Sequence, residues 1–389
     1  MLIFALILGE IFKRLKLPSL IGHLLAGLIV GSSLLNIVEL TESFDVMIDL
    51  AMFFIMFYAG LQVRPEQIRK GGKDSIIVSL LSFLIPLLAV TYITYSLGFP
   101  LITSLLVGLI LAITAIPVSA VVLMEFGILK SRMGTTVMTA GIIDDILSLM
   151  IFAVIIQLAV NGTDELNYAE ISFSAIKIGI FLGGIFLLDV LVKKIMERLP
   201  RYVSTVKNLR SKEVGFGLLI ISALSLSWLA QSVGLHFIIG TFFAGLIIYK
   251  EVIGEANFER VNSVFSAITF GLFSPIFFAF IGTKFHIQSI YEVMSFFLIL
   301  LGTATIGKIA GGFIGARIAR FSNMESITIG SLVNSRGMVE IVIASVGFEL
   351  GIIDVTLFSV VVAVGIVTII MAPIMARFSL KRIPLSTLD

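Results

Sequence analysis

Apolar residues run through this chain in blocks of about 20, the length that carries a helix across a hydrocarbon core. Short charged or glycine- and proline-bearing segments separate the blocks, and the pattern continues from one terminus to the other. Dividing the chain there predicts about 13 helices, at roughly 1–12, 19–37, 46–62, 75–96, 101–125, 134–160, 171–192, 214–232, 236–249, 262–283, 290–316, 326–348 and 355–376. The fold class expected is an all-α polytopic membrane protein, with residues 1–389 forming a single transmembrane unit. The first block, Met1 to Ile11, is short for a span. It has neither a basic leader nor a small-residue cleavage site, so a membrane helix is expected there and not a signal peptide.

Composition agrees with the pattern: 58% of residues are hydrophobic and only 13% charged, against about 25% charged in soluble domains. The basic residues supply a test independent of hydrophobicity, because Lys and Arg concentrate in cytoplasmic loops. With the N-terminus outside, most of the 27 Lys and Arg fall in inner loops, such as Lys13 and Arg14, Arg69 and Lys70, Lys130 and Arg132, and Arg317 and Arg320. Outer loops carry Glu39, Glu42, Asp164 and Glu165, with Lys284 as their basic residue. The expectation is a multi-pass protein of the cell (inner) membrane, surrounded by lipid, with its C-terminus cytoplasmic. The net charge of +2 is spread among short loops and offers nucleic acid no patch. There is no cysteine, which excludes disulfides and thiol chemistry. Three scattered histidines, His23, His236 and His286, do not suggest a metal centre, and no cofactor is expected.

Several charges fall inside spans. An ionisable group at the bilayer centre costs at least about 2.5–3.5 kcal/mol on insertion scales, so it is kept only where it is paired or faces a polar cavity. Asp144 and Asp145 lie midway along the sixth span, Lys308 in the eleventh, and Arg336 and Glu340 in the twelfth. Adjacent helical residues point about 100° apart, so the two aspartates cannot share one partner. One is expected to pair with Lys308 and the other to line a water-accessible cavity. A carboxylate there, with hydroxyls and carbonyls around it, is a hard oxygen site for a proton or a small cation such as sodium. Competition of the two for one alternately exposed site is enough for obligatory exchange. Arg336 and Glu340, spaced i, i+4, are expected to pair on one helix in a structural role.

Two spans look interrupted. Pro117, in Thr114-Ala-Ile-Pro-Val-Ser119, should break the fifth span, and Asn334-Ser-Arg-Gly337 is the corresponding polar break in the twelfth. The two lie seven helices apart and so run oppositely through the bilayer. That is the pattern of inverted repeats with two crossed discontinuous helices, where unwound carbonyls and helix dipoles hold an ion at the midplane.

These residues resemble the second cation:proton antiporter family, in particular bacterial electrogenic sodium/proton antiporters of the NapA type. The similarity runs from Ile11-Phe-Lys-Arg-Leu-Lys-Leu-Pro18 through Thr114 and the Asp144–Asp145 pair to the glycine-flanked Lys308. The resemblance implies a homodimer exchanging sodium or lithium for protons, with helices of about 75–160 and 290–376 forming a core that moves as an elevator. Helices of about 1–62 and 171–283 would form the dimerisation scaffold. It further implies that Asp145 is the ion-binding carboxylate and sodium ligand, Asp144 the partner of Lys308, and Thr114 a residue of the helix crossing. NapA-type proteins have a glutamate two residues after the arginine, where this chain has Met338 and reaches Glu340 two positions later. The roles of Arg336 and Glu340 are therefore not carried over. Some relatives export potassium, often with a C-terminal nucleotide-binding domain; the sequence given stops soon after the last span, so ligand-gated potassium efflux is the less favoured alternative.

Two other classes fit the sequence less well. An intramembrane aspartic protease needs two carboxylates about 3 Å apart sharing a proton; neighbours on one helix cannot meet that, and Asp49 and Asp189 lie near opposite ends of their spans. A cation channel would need no proton competition, and a pH gradient would not drive it.

Overall fold

Backbone groups in hydrocarbon must satisfy one another within a segment or a closed barrel, and this chain takes the first route. The computed structural model describes residues 1–383 apart from 16, 32–33, 36, 38–41, 64, 161–175, 178, 182, 186, 189, 192–193, 195–211 and 248–254. In chain order the first helices are α1 (Leu2–Arg14), α2 (Ser19–Val30), α3 (Glu42–Gln62), α4 (Pro65–Ser96), α5 (Leu101–Ile110), α6 (Ile116–Glu125) and α7 (Arg132–Val160). The described residues between 176 and 194 are also helical. Then follow α8 (Lys212–Ser232), α9 (Phe237–Ile247), α10 (Glu255–Ile268), α11 (Ser274–Lys284), α12 (Ile287–Glu292), α13 (Met294–Ile318), α14 (Asn323–Val333), α15 (Met338–Glu349) and α16 (Val355–Leu380). Among the described residues, six helical stretches are long and apolar enough to cross a membrane, and a seventh if the bent pair α14 and α15 counts as one crossing. Glu39, Asp164 and Glu165, expected in outer loops, and Asp189, considered for a protease dyad, lie outside the described residues.

Local chemistry explains the irregularities. Gly72 has φ 57° and ψ −155°, a left-handed turn that sets the membrane part of α4, Gly71–Ser96, apart from its amphipathic start. Between α10 and α11 the helix widens into a π turn, Thr269–Phe273, immediately before Pro275. Proline has no N–H for the i→i−4 ladder, and the widened turn accommodates that loss.

Two stretches share one plan: a long helix, a broken helix and a second long helix. They are α4, α5/α6, α7 and α13, α14/α15, α16. The long helices α4 and α13 pack along each other through glycines. A Cβ added at Gly307 would lie 3.1 Å from Pro86 Cα, one at Gly315 would lie 2.7 Å from Val78 Cα, and one at Gly311 would strike the Leu81 carbonyl. On the other side of the molecule α3 packs on α9, and α2 on α11. The close approach of α4 to α13 brings Lys308 to the level of the breaks.

Candidate functional site

The two interruptions fall at 111–115 and 334–337, and they meet. Ala115 N–H donates to the Ser335 carbonyl at 2.7 Å, and Ser335 Oγ returns a bond to the Ala115 carbonyl at 3.0 Å. Ser119 Oγ lies 2.8 Å from the Leu332 carbonyl and 2.9 Å from Ser335 Oγ. Gly337 leaves room for Ala115 Cβ, which a side chain there would overlap. Each break thus satisfies the backbone of the other, as burial demands. One expectation is corrected here: Pro117 is not the point of rupture. It occupies the first turn of α6, where a missing N–H costs no hydrogen bond, and the unwound residues precede it.

Beside this crossing, α7 presents the two aspartates. Asp144, 0% exposed, has all its partners. Ser79 Oγ donates to its Oδ1 at 2.6 Å; Thr114 Oγ1 and Lys308 Nζ donate to its Oδ2 at 2.6 and 2.9 Å. Thr114 Oγ1 is also 3.1 Å from the Val333 carbonyl, which ties the carboxylate to both breaks. Asp145 points elsewhere. Its Oδ1 is buried without a protein hydrogen-bond partner. Asp145 is 6% exposed in this structure. Close packing of the crossing against α7 accounts for that, since a Cβ on Gly141, one turn before Asp145, would lie 2.6 Å from Ile116 Cγ1.

Two cations complete the site. Lys308 Nζ also donates to the Ala112 carbonyl, and Arg336 Nη2 donates to the Leu111 carbonyl at 2.5 Å. Those carbonyls belong to the C-terminal end of α5, where unpaired C=O groups carry the negative end of the helix dipole. Glu340 lies in the first turn of α15, at the positive end of that half-helix. Arg336 was expected on the same helix as Glu340. It lies instead in the extended link, and Nε stands 3.8 Å from Glu340 Oε1, too far for a hydrogen bond. Spacing of i, i+4 aligns two side chains only where the helix is continuous.

Sequence reasoning named Asp144, Asp145, Lys308, Thr114, Arg336, Glu340 and Pro117, and the structure brings all seven to the crossing. It missed Ser79, the serines that stitch the breaks together, and the two carbonyls held by cations. A signal for Ser79 was present: Ser75, Ser79 and Ser82 form a polar stripe at helical spacing in an apolar span, all 0% exposed. Among the described residues no three His, Cys, Asp or Glu side chains group as a metal centre would require.

Crossed broken helices beside a buried aspartate–lysine pair and a second, unpaired carboxylate define an ion-coupled membrane carrier. The chain belongs to the family described as "Sodium/hydrogen exchanger, transmembrane", matching it over residues 1–382. It is therefore a transport protein and not an enzyme. It is 30% identical over 340 residues to the Probable Na(+)/H(+) antiporter 3 of Methanocaldococcus jannaschii, spanning 85% of this chain and 84% of the relative. It is 27% identical over 334 residues to the Na(+)/H(+)-K(+) antiporter GerN of Bacillus cereus, spanning 86% and 82%. The fold matches the sodium proton antiporter MjNhaP1 from Methanocaldococcus jannaschii with a TM-score of 0.77, at 20% identity, over 98% of this chain and 96% of that one. These names place the chain in the wider family and do not single out the NapA type.

Proposed function

We propose that this protein exchanges sodium, or lithium, for protons by alternating access, with the two ions competing for Asp145. The observation that carries the reading is the inequality of the aspartates. Asp144 is saturated by Ser79, Thr114 and Lys308, whereas Asp145 keeps a buried oxygen without a protein partner. An unpaired buried carboxylate is costly and is retained where a ligand completes it. A proton or a small dehydrated cation is the ligand that a hard oxygen donor fits. The names of the relatives support the same exchange.

On this reading Asp144 and Lys308 are the charge-compensating pair of an electrogenic, NapA-type cycle. The helices of about 75–160 and 290–376 move together against those of about 1–62 and 171–283, which join two copies into a dimer. The N-terminus lies outside and the C-terminus in the cytoplasm, a reading that the basic loops support. Potassium exchange is a second reading, favoured by the name of the Bacillus cereus relative, a Na(+)/H(+)-K(+) antiporter. The deciding experiment uses purified protein in proteoliposomes with an imposed pH gradient. Uphill movement of sodium supports the proposal; movement of potassium without sodium supports the second reading; insensitivity to the pH gradient would mark a channel and overturn both.

A further inference from the structure

Arg336 and Glu340 form an unfinished pair. Both are buried, at 0% and 1% exposure, yet neither Glu340 oxygen accepts a side-chain hydrogen bond, the carboxylate facing only the Gly337 backbone N–H, and Arg336 Nε and Nη1 have no partner. Charge-assisted N–H···O bonds run about 2.7–2.9 Å, so the separation of 3.8 Å leaves the pair about 1 Å open. What holds the guanidinium back is on the other broken helix: Nη2 donates to the Leu111 carbonyl at 2.5 Å. The link carrying Arg336 is unwound, and Gly337 within it is extended, with φ −163° and ψ −150°. Gly365 of α16 faces the carboxylate, where a Cβ would stand 3.2 Å from Oε1 and restrict its movement. A guanidinium with two idle donors beside a carboxylate that accepts from no side chain has a second arrangement within about 1 Å, a fork-to-fork pair.

The carbonyl that Arg336 occupies is itself a cation position. Leu111 O is an unwound, dipole-negative oxygen adjacent to the Ala112 carbonyl held by Lys308. We propose that Arg336 is an internal cation that exchanges with the transported one: it holds Leu111 O in the structure described here, and closes onto Glu340 when the incoming ion takes that carbonyl. Arg336 and Glu340 are then positioning residues. Glu340 receives the guanidinium, so that a bare positive charge is never left in the bilayer interior. The proposal rests on cation/proton exchange at Asp145 and adds to it the means by which one carbonyl is vacated.

The test is a double-mutant cycle on the half-saturating sodium concentration, read as sodium-driven pH change in proteoliposomes, with melting temperature recorded for each protein. Glu340→Gln removes the receiving carboxylate, and the half-saturating concentration should rise about tenfold, the equivalent of losing one charge-assisted bond. Arg336→Gln frees Leu111 O, and the concentration should stay at or below that of the wild type. The double variant should behave as Arg336→Gln alone, because the carboxylate has nothing left to receive. If Glu340→Gln does not fold, Glu340→Asp keeps the charge but shortens the reach by a methylene and should shift affinity the same way by less. A Glu340 variant of normal affinity, or a double variant as poor as Glu340→Gln, overturns the exchange and leaves the pair structural. Should the wild type respond to lithium or potassium in place of sodium, the cycle is run with that ion; a wild type that moves no monovalent cation overturns the exchange and the antiport reading together.

Discussion

At the residue scale, the assignment turns on which of two neighbouring carboxylates is free to change its ligand. Asp144 already has Ser79 on one oxygen and Thr114 and Lys308 on the other. Asp145 has an unengaged oxygen. Asp145→Asn is therefore expected to abolish cation-dependent proton exchange while leaving a folded protein, and Asp145→Glu to shift apparent affinity more mildly. Size-exclusion profile and melting temperature establish the fold; sodium-dependent proton movement in liposomes reads the activity. Exchange at wild-type affinity in the asparagine variant would remove Asp145 from the site. That one aspartate pairs with Lys308 was legible because adjacent helical residues cannot share a partner, and the family resemblance pointed to Asp144. Ser79 was legible only as part of the stripe with Ser75 and Ser82, because a serine in an apolar span usually bonds its own helix, as Ser75 does to Gly71.

At the element scale, the crossing is held by serines. Ser335 Oγ, 1% exposed, reaches the Ala115 and Leu332 carbonyls and Ser119 Oγ. Ser335→Ala should leave at least one of these buried groups short of a partner and cost about 1–3 kcal/mol. The measurement is thermal unfolding in detergent, and an unchanged melting temperature would mean that water replaces the hydroxyl at no cost. The positions of the helices were readable from hydrophobic length, which hydrocarbon thickness imposes directly. The breaks were half readable. Asn334-Ser-Arg-Gly337 stands out as a polar interval, but 111–115, Leu-Ala-Ile-Thr-Ala, contains nothing that disfavours helix strongly. It unwinds because the partner break supplies its hydrogen bonds, a tertiary cause that local propensity does not contain. Pro117 drew attention to the right neighbourhood for the wrong reason.

At the scale of the whole molecule, the proposed cycle draws its charge balance from two aspartates and one lysine at the crossing. With both carboxylates ionised and Lys308 neutral in the cation-loaded state, and Asp145 protonated with Lys308 charged in the proton-loaded state, two protons exchange for one sodium. One net charge then moves, worth about 2.3 kcal/mol for each 100 mV. An inside-negative diffusion potential should accelerate sodium efflux from oriented proteoliposomes. Lys308→Gln, which removes the second proton carrier, should still exchange ions but lose the voltage dependence. Wild-type rates indifferent to potential, with a reversal point for one-to-one exchange, would make Lys308 a fixed counter-charge. Fold class was legible at this scale because insertion into lipid constrains the entire chain. The direction of charge movement was not, since it depends on the protonation cycle and not on spacing.

The glycine strip on the lysine helix has a consequence for heredity. Every missense change of a glycine codon adds at least a Cβ. At Gly311 that atom meets the Leu81 carbonyl, and at Gly315 it comes within 2.7 Å of Val78 Cα, so backbone would have to give way. Gly302 on the same helix has nothing within 4 Å of the same point. In a library covering all single substitutions, selected for growth under sodium stress in a host lacking its own exporters, positions 311 and 315 should return glycine almost alone, while position 302 accepts alanine and serine. Equal acceptance at the three sites would mean that α4 yields to the intruding atom. If it does not yield, the lineage can alter which ion it carries by changing side chains at the crossing, but it cannot move the lysine helix away from its neighbour by single steps.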